Sequence, residues 1–279
     1  MDYVIINGEK YDLINNTLYL DYKRIKDIDE IQNLEKIEKL EQLHLEFNKI
    51  SEIKNLEHHT SLKTLHLNNN RIEKIQGLKN LTNLEDLRLN NNRIARIEGL
   101  DTLSSLKSLA LSYNKIYEIK NLSDLNDLID LFVDHNEIKE LKGLNSNNRL
   151  RALTLGWNNI KIIENINHLK SLTYLDLSNN QIKEIKNINN LIKLKFLYLN
   201  NNQISKIEGL DVFSEIVKLD LRNNKVSELE GLQNLTNLRE LYLGGNQIDP
   251  ELIEKFGGLN RNGCAYQPQK FVNYCRKKK

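Results

Sequence analysis

Few residues of this chain are placed for covalent chemistry. Its two cysteines, Cys264 and Cys275, stand near the C-terminal end, and no histidine follows His168. A Cys–His nucleophile pair would therefore need distant segments to meet, and two reduced thiols in packing are the plainer reading. His44 and His66, with Glu46, could offer two imidazoles and a carboxylate to a metal, a set too common to assign one. There is no glycine-rich phosphate loop. The expectation is no catalytic residue, no cofactor and no metal. The spacing favours hydrogen bonding and recognition instead. Asparagine recurs at Asn48, Asn70, Asn92, Asn114, Asn136, Asn158, Asn180, Asn202, Asn224 and Asn246, a constant step of 22.

Around each of these asparagines the same apolar frame returns. Leu or Ile stands eight before, Leu five before, Leu or Val three before, and Ile or Val two after, as in Leu62, Leu65, Leu67 and Ile72 around Asn70. Leu-x-Leu has period two and reads as a short strand with its leucines on one face. After Asn the step becomes three (Ile72, Ile75, Leu78, Leu81, Leu84), which suits 3₁₀ or extended segments. A fixed period of this length means a solenoid. The fold expected is an α/β leucine-rich-repeat horseshoe with a concave parallel β-sheet and 3₁₀ or extended convex returns. The asparagines then form a structural ladder: a carboxamide has donors and an acceptor for backbone groups left over at the strand exit.

The ends depart from the frame. Residues 1–17 read as an N-terminal β-hairpin cap around Asn7-Gly8, placed to pair with or shield the first strand edge. Repeats occupy 18–248, about eleven in all and ten with regular spacing; the first, degenerate one has Lys23 in place of Asn. Residues 249–279 read as a helical C-terminal cap, with Asp249-Pro250 as a helix start.

Ile94-x-x-Ile-Glu-Gly-Leu-x-x-Leu-x-x-Leu-x-x-Leu-x-Leu-x-x-Asn-x-Ile116 resembles the 22-residue leucine-rich repeat of the protein phosphatase 1 nuclear regulatory subunit family, and Ile207-Glu-Gly-Leu and Leu229-Glu-Gly-Leu repeat its Glu-Gly signature. The resemblance spans roughly residues 18 to 248. It implies an intracellular, non-enzymatic scaffold that binds a protein on its concave face, such as a phosphatase or another regulatory enzyme. Internalins use a Pro-containing relative of this repeat, and here Pro is absent from every repeat. The start Met1–Glu9 lacks the basic head and apolar stretch of a leader, which points to a cytoplasmic location, and no apolar run is long enough for a membrane helix. A net charge of +2 argues against a dedicated nucleic-acid binder.

Positions six, four and two before each ladder Asn, with those one before and one after, should face a partner. Tyr113, Phe132, Trp157, Tyr174, Phe196, Tyr198 and Tyr242 fall there, beside Asp130, Asp134 and Asp176. Aromatics clustered on an open face read as a binding hot spot. The column one after Asn runs Lys49, Arg71, Arg93, Lys115, with Arg88 nearby, a basic stripe suited to an acidic region of a partner. The alternative is an anion- or nucleic-acid-binding module using that stripe; nucleic acid is disfavoured because aromatics for base stacking are missing from that end.

Overall fold

The computed structural model describes residues 2–278; Met1 and Lys279, the outer ends of the expected caps, lie outside the described residues. Two compact units are present, Met1–Glu137 and Ile138–Lys279.

The first unit opens with an antiparallel hairpin, β1 (Tyr3–Ile6) and β2 (Glu9–Asp12), turned at Asn7 and Gly8. Six parallel strands follow: β3 (Thr17–Tyr19), β4 (Gln42–His44), β5 (Thr64–His66), β6 (Asp86–Arg88), β7 (Ser108–Ala110) and β8 (Asp130–Phe132). Each strand is three residues long because only the Leu-x-Leu segment is extended. Its middle leucine (Leu18, Leu43, Leu65, Leu87, Leu109, Leu131) is fully buried. The return of each coil buries an aliphatic residue every third position, as at Ile72, Ile75, Leu78, Leu81 and Leu84, none more than 1% exposed. Each such side chain contributes about 1.5–3 kcal/mol.

Two details sharpen the expected picture. The hairpin does not pair with the first strand edge. Ile5 instead exchanges two backbone hydrogen bonds with Gln32 (3.0 and 2.9 Å), in the longer return of the first coil. That return leaves backbone groups without a coil on one side, and β1 satisfies them. The second concerns 3₁₀ structure. Among the described residues it is confined to this first coil, at Ile28–Glu30 and Leu34–Lys36. Later returns use separate turns spaced by three, such as Leu81 N to Leu78 O and Leu84 N to Leu81 O, both 2.9 Å.

The second unit has parallel strands β9 (Ala152–Thr154), β10 (Tyr174–Asp176), β11 (Phe196–Tyr198), β12 (Lys218–Asp220) and β13 (Glu240–Tyr242). It closes with α1 (Pro250–Lys255) and α2 (Pro268–Lys278). Asp249 caps α1 by accepting from Glu251 N at 2.9 Å. The segment between the helices covers the last strand edge: Leu243 N reaches Gly263 O at 2.9 Å and Ala265 N reaches Leu241 O at 2.8 Å. Phe271, Val272 and Cys275 of α2 are buried below it. No helix among the described residues is long and apolar enough to cross a membrane.

Candidate functional site

The ladder asparagines build the turn from which the exposed side chains project. Asn70 is typical. Its Nδ2 donates to Leu67 O in its own coil (3.1 Å) and Leu45 O in the coil before (2.9 Å), while Oδ1 accepts from Ile50 N (2.9 Å). The same set recurs at Asn92, Asn136, Asn180, Asn202 and Asn224. Asn158 accepts from Ile138 N and donates to Leu155 O, Asn48 accepts from Lys23 N and Ile25 N, and Asn114 and Asn246 are half-buried versions. In the full set both amide hydrogens and the oxygen are engaged by backbone, so the ladder runs from side chain to backbone, coil to coil.

The residue just before each ladder Asn has a positive φ. In the first unit this column holds Phe47, Asn69, Asn91, Tyr113 and His135; in the second, Trp157, Asn179, Asn201, Asn223 and Gly245. Asn and Gly tolerate the left-handed region, and aromatic residues pay a steric cost there. Trp157 (55% exposed), Tyr113 (51%) and Phe47 (43%) are nevertheless held in it, each about half exposed. The Asn-Asn doublets that fill this column elsewhere were the sequence signal for its conformation. Against them the aromatic exceptions stand out.

In the first unit the register aligns Tyr19, His44, His66, Arg88, Ala110 and Phe132 across the strands. Tyr19 stacks on His44 (4.8 Å between centroids) and Tyr22 on Phe47 (4.4 Å). Both tyrosines are exposed and bring aromatic rings to the basic end, where aromatics for stacking were expected to be missing. His66 and Arg88 both contact Asp86 Oδ2, at 3.1 and 3.0 Å. Burial pushes the Asp86 carboxyl up, but these two partners outweigh it and hold it below its ordinary range. Arg88, of the expected stripe, is thus paired with an acidic neighbour. His44 Nε2 is buried without a hydrogen-bond partner, and burial, followed by the neighbouring His66, depresses its pKa. With His66 occupied by Asp86, no group of three metal-ligating side chains forms among the described residues.

Lys49, Arg71 and Lys115 are exposed and make no ion pair among the described residues, whereas Arg93 lies 4.0 Å from Glu73. Arg24 occupies the same column one coil earlier. Asp130 and Phe132 bound β8, both half-buried; Tyr113 stacks on His135 at 3.9 Å, and Asp134 accepts from Ser112 Oγ at 3.1 Å.

In the second unit Tyr174 lies 6.0 Å from Phe196 and 5.3 Å from Tyr198, forming one aromatic cluster. Asp176 accepts from Ser178 N at 2.8 Å, which spends part of its carboxylate on the turn. Beyond the cluster, Lys218 sits 5.4 Å from the Tyr198 ring and 4.9 Å from Tyr242, and binds Glu240 at 2.9 Å. Arg222 covers Tyr242 at 4.6 Å and pairs with the buried Asp220. Tyr242 is therefore sheltered by two cations and Tyr198 by one, and Phe196 is the exposed ring of the cluster. Cys264 is half-buried and Cys275 buried; burial pushes the Cys275 thiol up, away from nucleophilic use.

A family model described as leucine-rich repeats (2 copies) matches residues 60–102, 170–212 and 214–254. No curated protein matches the chain significantly. Among solved structures, an internalin of Listeria monocytogenes is 28% identical with a TM-score of 0.72, over 87% of this chain and 77% of that one. A leucine-rich-repeat protein of Leptospira interrogans is 24% identical with a TM-score of 0.63, over 80% of this chain and 71% of its own. TLR13, solved in complex with a single-stranded RNA, is 23% identical with a TM-score of 0.74, over 87% of this chain and 38% of its own. The recurring frame, the backbone-bridging asparagines and these likenesses agree: the chain has the leucine-rich-repeat fold.

Proposed function

We propose that the chain is a non-enzymatic interaction module that binds a protein partner through the open face of its sheets. The observation that carries this reading is the exposure of Trp157 at a left-handed position and of Phe196 beside the half-buried rings of Tyr174 and Tyr198. Tyr113 and Phe132 play the same part in the first unit, with Asp130, Asp134 and Asp176 as polar neighbours. Lys49, Arg71 and Lys115 orient an acidic region of the partner. A phosphatase or other regulatory enzyme is the partner class suggested by the Glu-Gly repeat signature. The two free thiols fit a reducing, cytoplasmic setting. The hairpin, the repeats and the helical segment act as cap, binding body and cap.

The test compares partner capture by the wild type and by Trp157→Asn/Tyr198→Ala. Loss of a specific partner, with unchanged thermal unfolding, supports the reading; survival of every specific partner overturns it. Binding that instead collapses with added salt and with Lys49→Glu/Arg71→Glu alone identifies the stripe as an anion site.

A further inference from the structure

The columns three and four residues after the ladder asparagines lie outside the strands, and in the second unit they depart from the repeat. The fourth residue is charged at Glu140, Glu184, Lys206 and Glu228, but Ile162 takes that place in its coil and is 51% exposed. The third residue is lysine in three consecutive coils, Lys139, Lys161 and Lys183, and then serine at Ser205 and Ser227. Backbone bonds from Asn159 N to Ile138 O and from Gln181 N to Ile160 O, both 2.8 Å, keep the coils in step at this edge. The three lysines therefore leave the backbone about 5 Å apart, the interstrand spacing. None of them makes an ion pair among the described residues. By contrast Lys186 is held by Glu184 at 2.6 Å and Lys142 by Glu140 at 3.1 Å, which leaves Glu164 as the remaining carboxylate. Hollows of about 560 and 330 Å³ open on either side of Ile162 and share it and Lys161 as lining.

We infer that this edge is a second docking surface, built for an acidic protein segment that seats an apolar side chain against Ile162 between its carboxylates. Stacked unpaired ammonium groups repel one another, and carboxylates arriving from a partner remove that repulsion. A polyanion without apolar groups would use the lysines and leave Ile162 in water, so the isoleucine selects a protein segment over a nucleic acid. This surface shares no side chain with the aromatic cluster and stands or falls apart from it.

The experiment titrates the full chain with an acetylated Glu-Asp-Glu-Leu-Asp-Glu peptide and with its Leu-to-Ser counterpart, following backbone amides by NMR. Shifts should centre on residues 139, 161–164 and 183–186. The serine peptide, and the leucine peptide on Ile162→Ser, should each bind about ten-fold more weakly, the scale of one buried aliphatic side chain. Lys139→Glu/Lys161→Glu/Lys183→Glu should abolish binding, while Tyr198→Ala leaves it intact. Melting curves verify that these exposed substitutions leave the fold in place. Equal binding of both peptides, or of a single-stranded oligonucleotide regardless of Ile162, would show a bare cationic surface and overturn the inference. So would shifts centred on Lys218 and Arg222, or none at millimolar peptide.

Discussion

Nδ2 of Asn70 lies 2.9 Å from the carbonyl oxygen of Leu45, one coil earlier, so a single side chain joins two turns of backbone. Removing it strands Ile50 N away from water, while Leu45 O and Leu67 O each lose one of two donors and keep Asn48 Nδ2 and Asn92 Nδ2. At about 1–3 kcal/mol for the one unsatisfied buried group, with two further hydrogen bonds lost, Asn70→Ala should cost about 2 kcal/mol or more. Asn70→Asp should cost at least as much, because it keeps the acceptor, loses both donors and buries a charge. Urea unfolding of the two variants measures this; a cost below about 1 kcal/mol would contradict the bridging role.

The Glu-Gly signature has a steric origin. A Cβ at Gly99, where φ is +67°, would fall 2.5 Å from Ile75 O of the preceding coil. In other coils the same place holds Asn, and its amide donates to the corresponding carbonyl: Asn121 to Ile97 O and Asn187 to Ile163 O, both 2.8 Å. Gly99→Ala should therefore destabilise by about 2 kcal/mol. Gly99→Asn should cost less, since it gains that hydrogen bond. Thermal melts of the pair give the order.

His59 stands where the frame calls for leucine, and its Nε2 is buried without a partner. Burial, followed by the neighbouring His58, depresses its pKa below the ordinary 6.5. The unfolded chain then takes up a proton before the folded one does. The folded state keeps its full stability above the unfolded pKa and loses it as pH falls from there toward the folded value. His44, also depressed, acts in the same direction. His59→Leu should raise stability near neutral pH by about 1–2 kcal/mol and flatten its decline below pH 6.5. Denaturant midpoints at pH 7.5 and 5.5 provide the comparison.

Tyr113→Asn places the column's own residue at φ +57°. Relief of about 1 kcal/mol of left-handed strain offsets the lost stack on His135, worth about 0.5–1.5 kcal/mol. The melting temperature should therefore move little, while affinity for a partner engaging the first unit drops. A large loss of stability would show that Tyr113 serves the fold.

Much of the architecture is legible in the spacing alone. Leu65, Leu87 and Leu109 are buried because alternation puts them on the closed side of a strand, and the period of 22 brings each beside the next. The hairpin turn at Asn7-Gly8 and the Asp249-Pro250 helix start follow from local dihedral preferences, so they too can be read from residue types.

The columns a partner could meet are equally a consequence of the repeat; the chemistry within them is not. That His66 reaches Asp86, that Lys218 sits between two tyrosines, and that Tyr22 stacks on Phe47 depend on side-chain directions across coils. Linear spacing carries no such information. The left-handed backbone before each ladder Asn arises because the strand must turn sharply while the next coil holds its carbonyls and amides in place. This tertiary constraint makes Tyr113 and Trp157 exceptions to their column, and the sequence by itself shows them only as two aromatics among many polar neighbours.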